Sequence, residues 1–255
     1  MVSAGSVVLS TVELDVLWEA EKLPPRHVAL DVPSPGATHS ERAEIVERAW
    51  VSLGDRGLAT GGRASGALLD MLGVLAAPQA SVDIWAWADR RISGLAASTG
   101  AHAMLGVVDG DEFWLIPVRD TALAESAVSV IGERDAGVGQ SITVPHDVLL
   151  AADADAKGDP HALVTALQDR GVELWQAQEL AGMFLGMVAR GQFGVQRRGR
   201  DGQVRRARRV AGFHDTDAGR YLCQLDRAEG QDWCTLTPAD NGVLAQRVWE
   251  LLDEV

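Results

Sequence analysis

The chain has 255 residues, 47% of them hydrophobic, so it can build a folded core and is not a disordered protein. Its 36 acidic and 23 basic residues give a net charge of −13, which excludes a general polyanion binder unless a local basic patch exists. With no run of 18 apolar residues and no leader-like start, we expect a soluble cytoplasmic protein without a membrane span.

The first half of the chain predicts a strand, helices and then a meander of strands. After a short strand at 7–9, Ser10 and Glu13 have the spacing of a capping box, which predicts a helix over 11–20. A strand is then predicted over 27–32, and helices over 40–55 and 68–75. From Val82 the apolar period changes to two, which predicts four strands, at 82–88, 91–97, 103–108 and 112–118, before a helix over 120–131.

The second half predicts similar elements in the same order. It begins with a strand at 141–144, and Asp159–Pro160 is a typical helix start. The predicted helices are 160–170, 173–189 and, at the end, 238–252. The four predicted strands are 193–198, 203–214, 220–226 and 232–237.

The matching order of elements indicates an internal repeat. Val32–Pro33 and Arg56–Gly57 correspond to Val144–Pro145 and Arg170–Gly171 at a nearly constant offset. We therefore predict one α+β domain over 1–255, built from quasi-twofold duplicated halves at about 24–135 and 136–255. In this fold a central, mostly antiparallel β-sheet is flanked by helical bundles.

Residue patterns for catalysis or metal binding are missing from the sequence. The six histidines never stand three or four positions apart, and no phosphate-binding glycine loop or nucleophile elbow occurs. Adjacent residues of a strand point to opposite faces, so His214 and Asp215 cannot form a catalytic relay. We expect no catalytic residue, no metal and no cofactor, and Cys223 and Cys234 are predicted to be free thiols in strands.

A basic segment departs from the acidic composition. Nine arginines but only three aspartates lie between Arg190 and Arg220, and a hairpin is predicted to turn at 200–202. This segment could contact an acidic protein or nucleic acid. It could equally be a solvated hairpin whose like charges prevent edge pairing.

The strand from Val82 carries apolar residues on both of its faces. Alternation places Val82 and Ile84 on one face and Trp85 and Trp87 on the other. Either helices cover both faces, or part of one face is an exposed apolar platform for a partner.

Four motifs in chain order carry a resemblance to a known family. They are ELDVLWEA at 13–20, VPSPGAT at 32–38, GQFGV at 191–195 and FHDTDAGRY at 213–221. Together they resemble the EspG family, whose members are secretion-associated proteins of actinobacterial type VII (ESX) secretion systems.

The resemblance implies a non-catalytic, cytosolic chaperone. Proteins of this family bind a PE–PPE heterodimer and cover an apolar helical tip of the PPE partner, and we expect a monomer or weak dimer without a cofactor. The stretches that match the family's partner surface contain Gln192, Phe193 and Val195, with Arg197, Arg206 and Arg208 as a polar rim. Strand alternation adds Trp85, Trp87 and Arg90. The alternative is a nucleic-acid-binding protein that uses the arginine-rich hairpin at 197–209.

Overall fold

The computed structural model describes residues 5–255, which divide into two compact units. The first unit comprises the described chain up to Trp85, together with Arg90–Val130 and Gln196–Arg205. The second unit comprises Ala86–Asp89, Ile131–Val195 and Arg206–Val255.

The first unit begins with helices and short strands. These elements are β1 (Val7–Ser10), α1 (Thr11–Ala20), α2 (His39–Asp55), β2 (Ala59–Thr60), β3 (Arg63–Ala64) and α3 (Gly66–Ala76). The predicted capping box is confirmed, since the N–H of Glu13 donates to Ser10 Oγ at 3.1 Å and the N–H of Ser10 donates to Glu13 Oε2 at 2.8 Å. The strand predicted over 27–32 is wrong. The N–H of Ala29 donates to His27 Nδ1 at 3.2 Å, which stabilises a 3-10 turn at Val28–Leu30 instead.

A strand meander completes the first unit. Its members are β4 (Ala80–Trp87), β5 (Arg91–Ser98), β6 (Ala103–Asp109) and β7 (Glu112–Val118), followed by a 3-10 turn (Asp120–Ala122) and α4 (Leu123–Ser129). The strands lie in the order β1-β7-β6-β5-β4. The predicted Asp-Gly hairpin joins β6 to β7, where Asp109 pairs with Glu112.

Helices pack on both faces of this strand layer. Leu14 of α1, Leu53 of α2 and Leu72 of α3 share one core with Leu95 and Phe113 of the strands. Helix α4 contacts β5 and β6, and its apolar side chains are also buried. On β5, β6 and β7 the side chains of Leu95, Leu105 and Phe113 are buried.

The second unit begins with one short strand and three helices, which are followed by its other strands and a final helix. Its elements are β8 (Ile142–Pro145), α5 (His146–Ala156), α6 (Pro160–Gln168), α7 (Leu174–Phe184), β9 (Met187–Arg198), β10 (Val204–Arg206), β11 (Ala211–Thr216), β12 (Gly219–Ala228), β13 (Gln231–Pro238) and α8 (Asn241–Asp253). The last three residues of β9 and the first two of β10 belong to the first unit. The strands lie in the order β9-β11-β12-β13-β8, all antiparallel, and β10 pairs with β9.

Three differences from the predicted elements concern the second unit. Helix α5 was not predicted, because its buried positions beyond Leu149 are the weakly apolar Ala152 and Ala156. The helix predicted over 173–189 ends at Phe184. The strand predicted over 203–214 is two strands, β10 and β11.

Both units have the same strand arrangement. In each, a four-strand meander is extended by the unit's first strand, β1 or β8, which pairs with the meander's last strand. The predicted α+β class with mostly antiparallel strands and packed helices is confirmed. The boundaries of the duplicated halves stay a prediction.

Candidate partner-binding surface

Helix α7 has an apolar side that faces away from the core. Its buried side packs Ala177, Leu180 and Met183 into the second unit's core. Leu174 and Trp175 lie on the outer side, and Trp175 is 54% exposed. A large indole on a helix surface is costly to leave in water and is a common anchor in protein interfaces.

The chain that follows α7 is apolar and exposed at consecutive positions. Leu185, Met187 and Val188 are 61%, 41% and 49% exposed, and only Gly186 separates the first two. In a half-buried strand alternate residues would be covered, so the start of β9 is uncovered on both of its faces. We call the set Leu174, Trp175, Leu185, Met187 and Val188 the α7 surface.

Two open grooves have α7 as their common wall. The first has a volume of about 430 Å³ and is lined by Val138, Trp175, Gly182, Met183 and Tyr221, among others. The second has a volume of about 230 Å³, and its lining includes Leu163, Ala181, Phe184, Leu185 and Met187. An apolar side chain of a partner could enter either groove.

Carboxylates stand at the edges of both grooves. Glu179 lines the first, and Asp153 and Asp159 line the second. Among the described residues that line the grooves there is no cation. The arrangement favours a partner whose apolar residues are accompanied by Lys or Arg.

Residues of the motif FHDTDAGRY pack against the end of α7. His214 Nε2 lies 2.9 Å from the carbonyl oxygen of Met183, and the ring stacks on Phe184 and Tyr221 at centroid distances of 5.1 and 5.2 Å. The Tyr221 hydroxyl donates to the carbonyl of Val138 at 2.9 Å and so holds the loop beside the first groove. Burial lowers the pKa of His214 below its usual value.

A buried ion pair closes the β11–β12 hairpin. Arg220 Nε donates to Asp215 Oδ1 at 2.7 Å and a terminal nitrogen donates to Oδ2 at 2.9 Å. Further bonds reach the carbonyl oxygens of Ile131 and Gly132 at 3.1 and 3.2 Å. His214 and Asp215 thus have separate partners, as expected for adjacent residues of a strand.

The prediction that Phe193 and Val195 contact a partner is corrected. Both side chains have no solvent exposure, and Phe193 stacks on Phe213 at 5.6 Å. Phe193 pairs with Ala211 of β11 and Val195 lies two residues further along β9, so the two side chains share one buried face of the strand. Gln192, opposite Gly212, is half-buried and stays a predicted contact.

The three arginines predicted as a polar rim lie in different environments. Arg206 and Arg208 are exposed, and Arg197 is half-buried with its Nε lacking a hydrogen-bond partner among the described residues. The predicted hairpin is present, because the N–H of Gly199 donates to the carbonyl of Gln203 at 2.8 Å. The three arginines stay predicted contacts.

The predicted contact residues of β4 and of the turn after it, Trp85, Trp87 and Arg90, also differ in exposure and contacts. Trp85 is half-buried, bonded through Nε1 to Asp83 at 2.9 Å and covered by Arg91. Arg90 forms a bidentate hydrogen-bonded ion pair with the carboxylate of Asp109. Trp87 is exposed. None of these contacts tests partner binding, so Trp85, Trp87 and Arg90 stay predicted contacts.

Sequence reasoning missed the α7 surface. Residues 183–188 are apolar except for Gly186, which is more than one side of an amphipathic helix can bury. That run, interrupted by a glycine, was the available signal that the helix ends and an exposed segment begins.

Neither a metal cluster nor a membrane-spanning helix is found in residues 5–255. No group of three or more His, Cys, Asp or Glu side chains there could hold a metal ion. No helix of this part of the chain has the length and apolar character to cross a membrane.

Comparisons with known proteins agree over nearly the full length. The model of the EspG family matches residues 10–250. Among solved structures, the chain is similar to EspG5, a chaperone of the type VII secretion system of Mycobacterium tuberculosis, in its complex with the PE25–PPE41 dimer. That match has a TM-score of 0.74 and 16% identity, and it covers 97% of this chain and 96% of that chain, which shows the shared fold. None of the curated proteins matches the sequence.

Proposed function

The chain belongs to the EspG family, and from this membership we propose that it is a non-catalytic chaperone of type VII secretion. Its client is a PE–PPE-type helical dimer, which it binds in the cytosol and keeps soluble until secretion. EspG5, which shares the fold, was solved with such a dimer, and this supports the choice of client.

The α7 surface is the observation that carries the proposal. Leu185, Met187 and Val188 are exposed in succession beside two grooves with apolar linings. Contiguous exposed apolar groups are rare on monomeric proteins and mark interaction sites. Covering them with a client's apolar helix end would contribute roughly 25 cal/mol for each Å² removed from water.

The charges around the surface supply selectivity. Asp153, Asp159 and Glu179 would favour a client with Lys or Arg beside its apolar tip and disfavour one with acidic residues there. A binding protein of this kind needs no reactive group. His214 and Asp215 are engaged in the contacts that hold α7 and the hairpin.

A charge placed in the α7 surface tests the proposal. We expect Val188→Asp to weaken binding of a purified PE–PPE-type dimer from the same organism at least tenfold, that is by about 1.4 kcal/mol or more, because the carboxylate would be desolvated in the interface. The dissociation constant is measured by calorimetry or by co-purification of co-expressed proteins.

Val51→Asp is the matched control for this test. Val51 is an exposed valine on α2, 59% exposed against 49% for Val188, and its replacement should leave binding unchanged. If Val188→Asp and the double variant Leu185→Asp/Met187→Asp both bind the dimer as tightly as the unaltered chain, the α7 surface is not the client site.

The alternative function, nucleic-acid binding by the hairpin at 197–209, gains no support. Arg205 is paired with Asp201, and Arg209 is paired with Asp226 and Glu254. Arg220 is buried against Asp215. Two arginines of the hairpin and one of the neighbouring strand are thus paired with carboxylates, which reduces the positive charge open to a phosphate backbone.

A further inference from the structure

The two cysteines of the chain lie side by side. Cys223 is in β12 and Cys234 in β13, and the register pairs Cys223 with Leu236 and Leu225 with Cys234. The cysteines are thus diagonal neighbours on one face of the strand pair, with their sulfur atoms 3.7 Å apart. With only two cysteines present, no other intramolecular pairing is possible.

Their surroundings give the two thiols different reactivity. Cys234 is buried, whereas Cys223 is partly exposed. The contact with the Cys234 thiol lowers the pKa of Cys223, and the same contact together with burial raises the pKa of Cys234. A thiolate is the reactive form of cysteine, so Cys223 is the group that attacks an oxidant.

We propose that Cys223 and Cys234 are an oxidation site that forms a reversible intramolecular disulfide with a peroxide. The Cys223 thiolate attacks one peroxide oxygen, the O–O bond breaks, and a sulfenic acid and hydroxide result. The Cys234 sulfur then attacks the Cys223 sulfur, the S–OH bond breaks, and water leaves. In total two thiols lose two electrons and two protons, and hydrogen peroxide is reduced to two water molecules.

The disulfide requires the two strands to move and is strained once formed, because the Cα atoms of diagonal neighbours in a strand pair lie about 7–8 Å apart, beyond the usual range for a disulfide. A disulfide has an S–S distance of about 2.05 Å, so the sulfur atoms must approach by roughly 1.7 Å. The hairpin beyond the cysteines, residues 227–232, is exposed and can adjust. A strained bond is easily reduced, which makes the modification reversible.

Mass spectrometry of the full chain tests the site. After treatment with hydrogen peroxide, we expect the intact mass to fall by two hydrogen atoms and both thiols to become unreactive towards a thiol reagent under denaturing conditions. Dithiothreitol should restore both. Retention of both thiols, or addition of oxygen atoms without loss of hydrogen, would overturn the proposal, as would a disulfide-linked dimer as the main product.

Single-cysteine variants test the order of attack. In Cys234→Ser the sulfenic acid at Cys223 has no partner thiol, so it should react with dimedone. In Cys223→Ser the buried Cys234 should stay unmodified at the same peroxide concentration. Circular dichroism should show that both variants are folded. Dimedone labelling of Cys223→Ser but not of Cys234→Ser would contradict the assignment of Cys223 as the attacking group.

Discussion

Arg220 shows how a charged residue can serve the fold. It has no solvent exposure, and its guanidinium is bonded to Asp215 and to two backbone carbonyl oxygens. A buried guanidinium is tolerated only when its charge and its N–H groups are matched in this way. Asp215 and Arg220 of the FHDTDAGRY motif thus hold the β11–β12 hairpin together.

Removing the partner of this arginine should destabilise the chain strongly. We expect Asp215→Ala to lower the free energy of unfolding by about 3–5 kcal/mol, because it leaves an uncompensated buried charge. Urea denaturation followed by circular dichroism measures the change. Asp217→Asn, on the exposed turn of the same hairpin, should change it by no more than about 0.5 kcal/mol. Equal effects of the two variants would show that the ion pair is not what holds the hairpin.

His214 should make stability depend on pH. Burial favours its neutral form, so its pKa in the folded chain lies below the value of 6.5 expected for an unperturbed histidine. As the pH falls below 6.5, the unfolded chain takes up a proton that the folded chain does not, and stability falls. Above that pH the histidine is neutral in both states, so it does not make the stability depend on pH.

The replacement His214→Phe isolates this effect. We expect the variant to lose less stability than the unaltered chain between pH 7 and pH 5, although its stability at pH 7 is lower because the contact with Met183 is lost. Melting temperatures across this pH range give the comparison. Parallel pH profiles for the two proteins would mean that protonation of His214 does not contribute.

At the scale of elements, the end of α7 creates the α7 surface. Gly186 has a φ of +70°, a conformation that side chains disfavour, and a Cβ there would lie 3.0 Å from a carboxylate oxygen of Asp217. The chain leaves the helical conformation at Leu185, whose backbone is extended, and turns sharply at Gly186. Leu185 and Met187, on either side of it, are left exposed instead of continuing the buried side of the helix.

Gly186→Ala should affect both stability and binding. We expect a loss of about 1 kcal/mol in unfolding free energy from the strained backbone, and weaker binding of the PE–PPE-type dimer because Leu185 and Met187 shift. Gly230→Ala is the control. Gly230 also has a positive φ but has open space around its Cα, so its replacement should have the same backbone cost and leave binding unchanged. Unchanged binding by Gly186→Ala would separate the helix end from client recognition.

At the scale of the whole molecule, the charges are distributed locally. The net charge is −13, yet the segment from Arg190 to Arg220 is basic. In that segment Arg205, Arg209 and Arg220 are paired with carboxylates from the same turn or from other elements. Formal charge counted along a sequence overestimates such a patch, because it omits the partners that folding brings near.

Local patterns were sufficient for most elements and for the fold class. The capping box of α1, the period-two strands from β4 to β7 and the Asp-Gly hairpin depend on residues close in sequence, so they could be predicted. The four motifs are also short strings of neighbouring residues, and their order along the chain was enough to indicate the EspG family.

Which side chains are exposed depended on packing between distant segments. Phe193 and Val195 stand in a family motif yet lie in the core, because β11 pairs with β9 and Phe213 stacks on Phe193. The exposed residues at the end of α7 look in sequence like the continuation of a buried helix. The sequence alone does not tell whether an apolar residue is buried or exposed. Only the tertiary contacts decide whether it stabilises the core or is free to bind a partner.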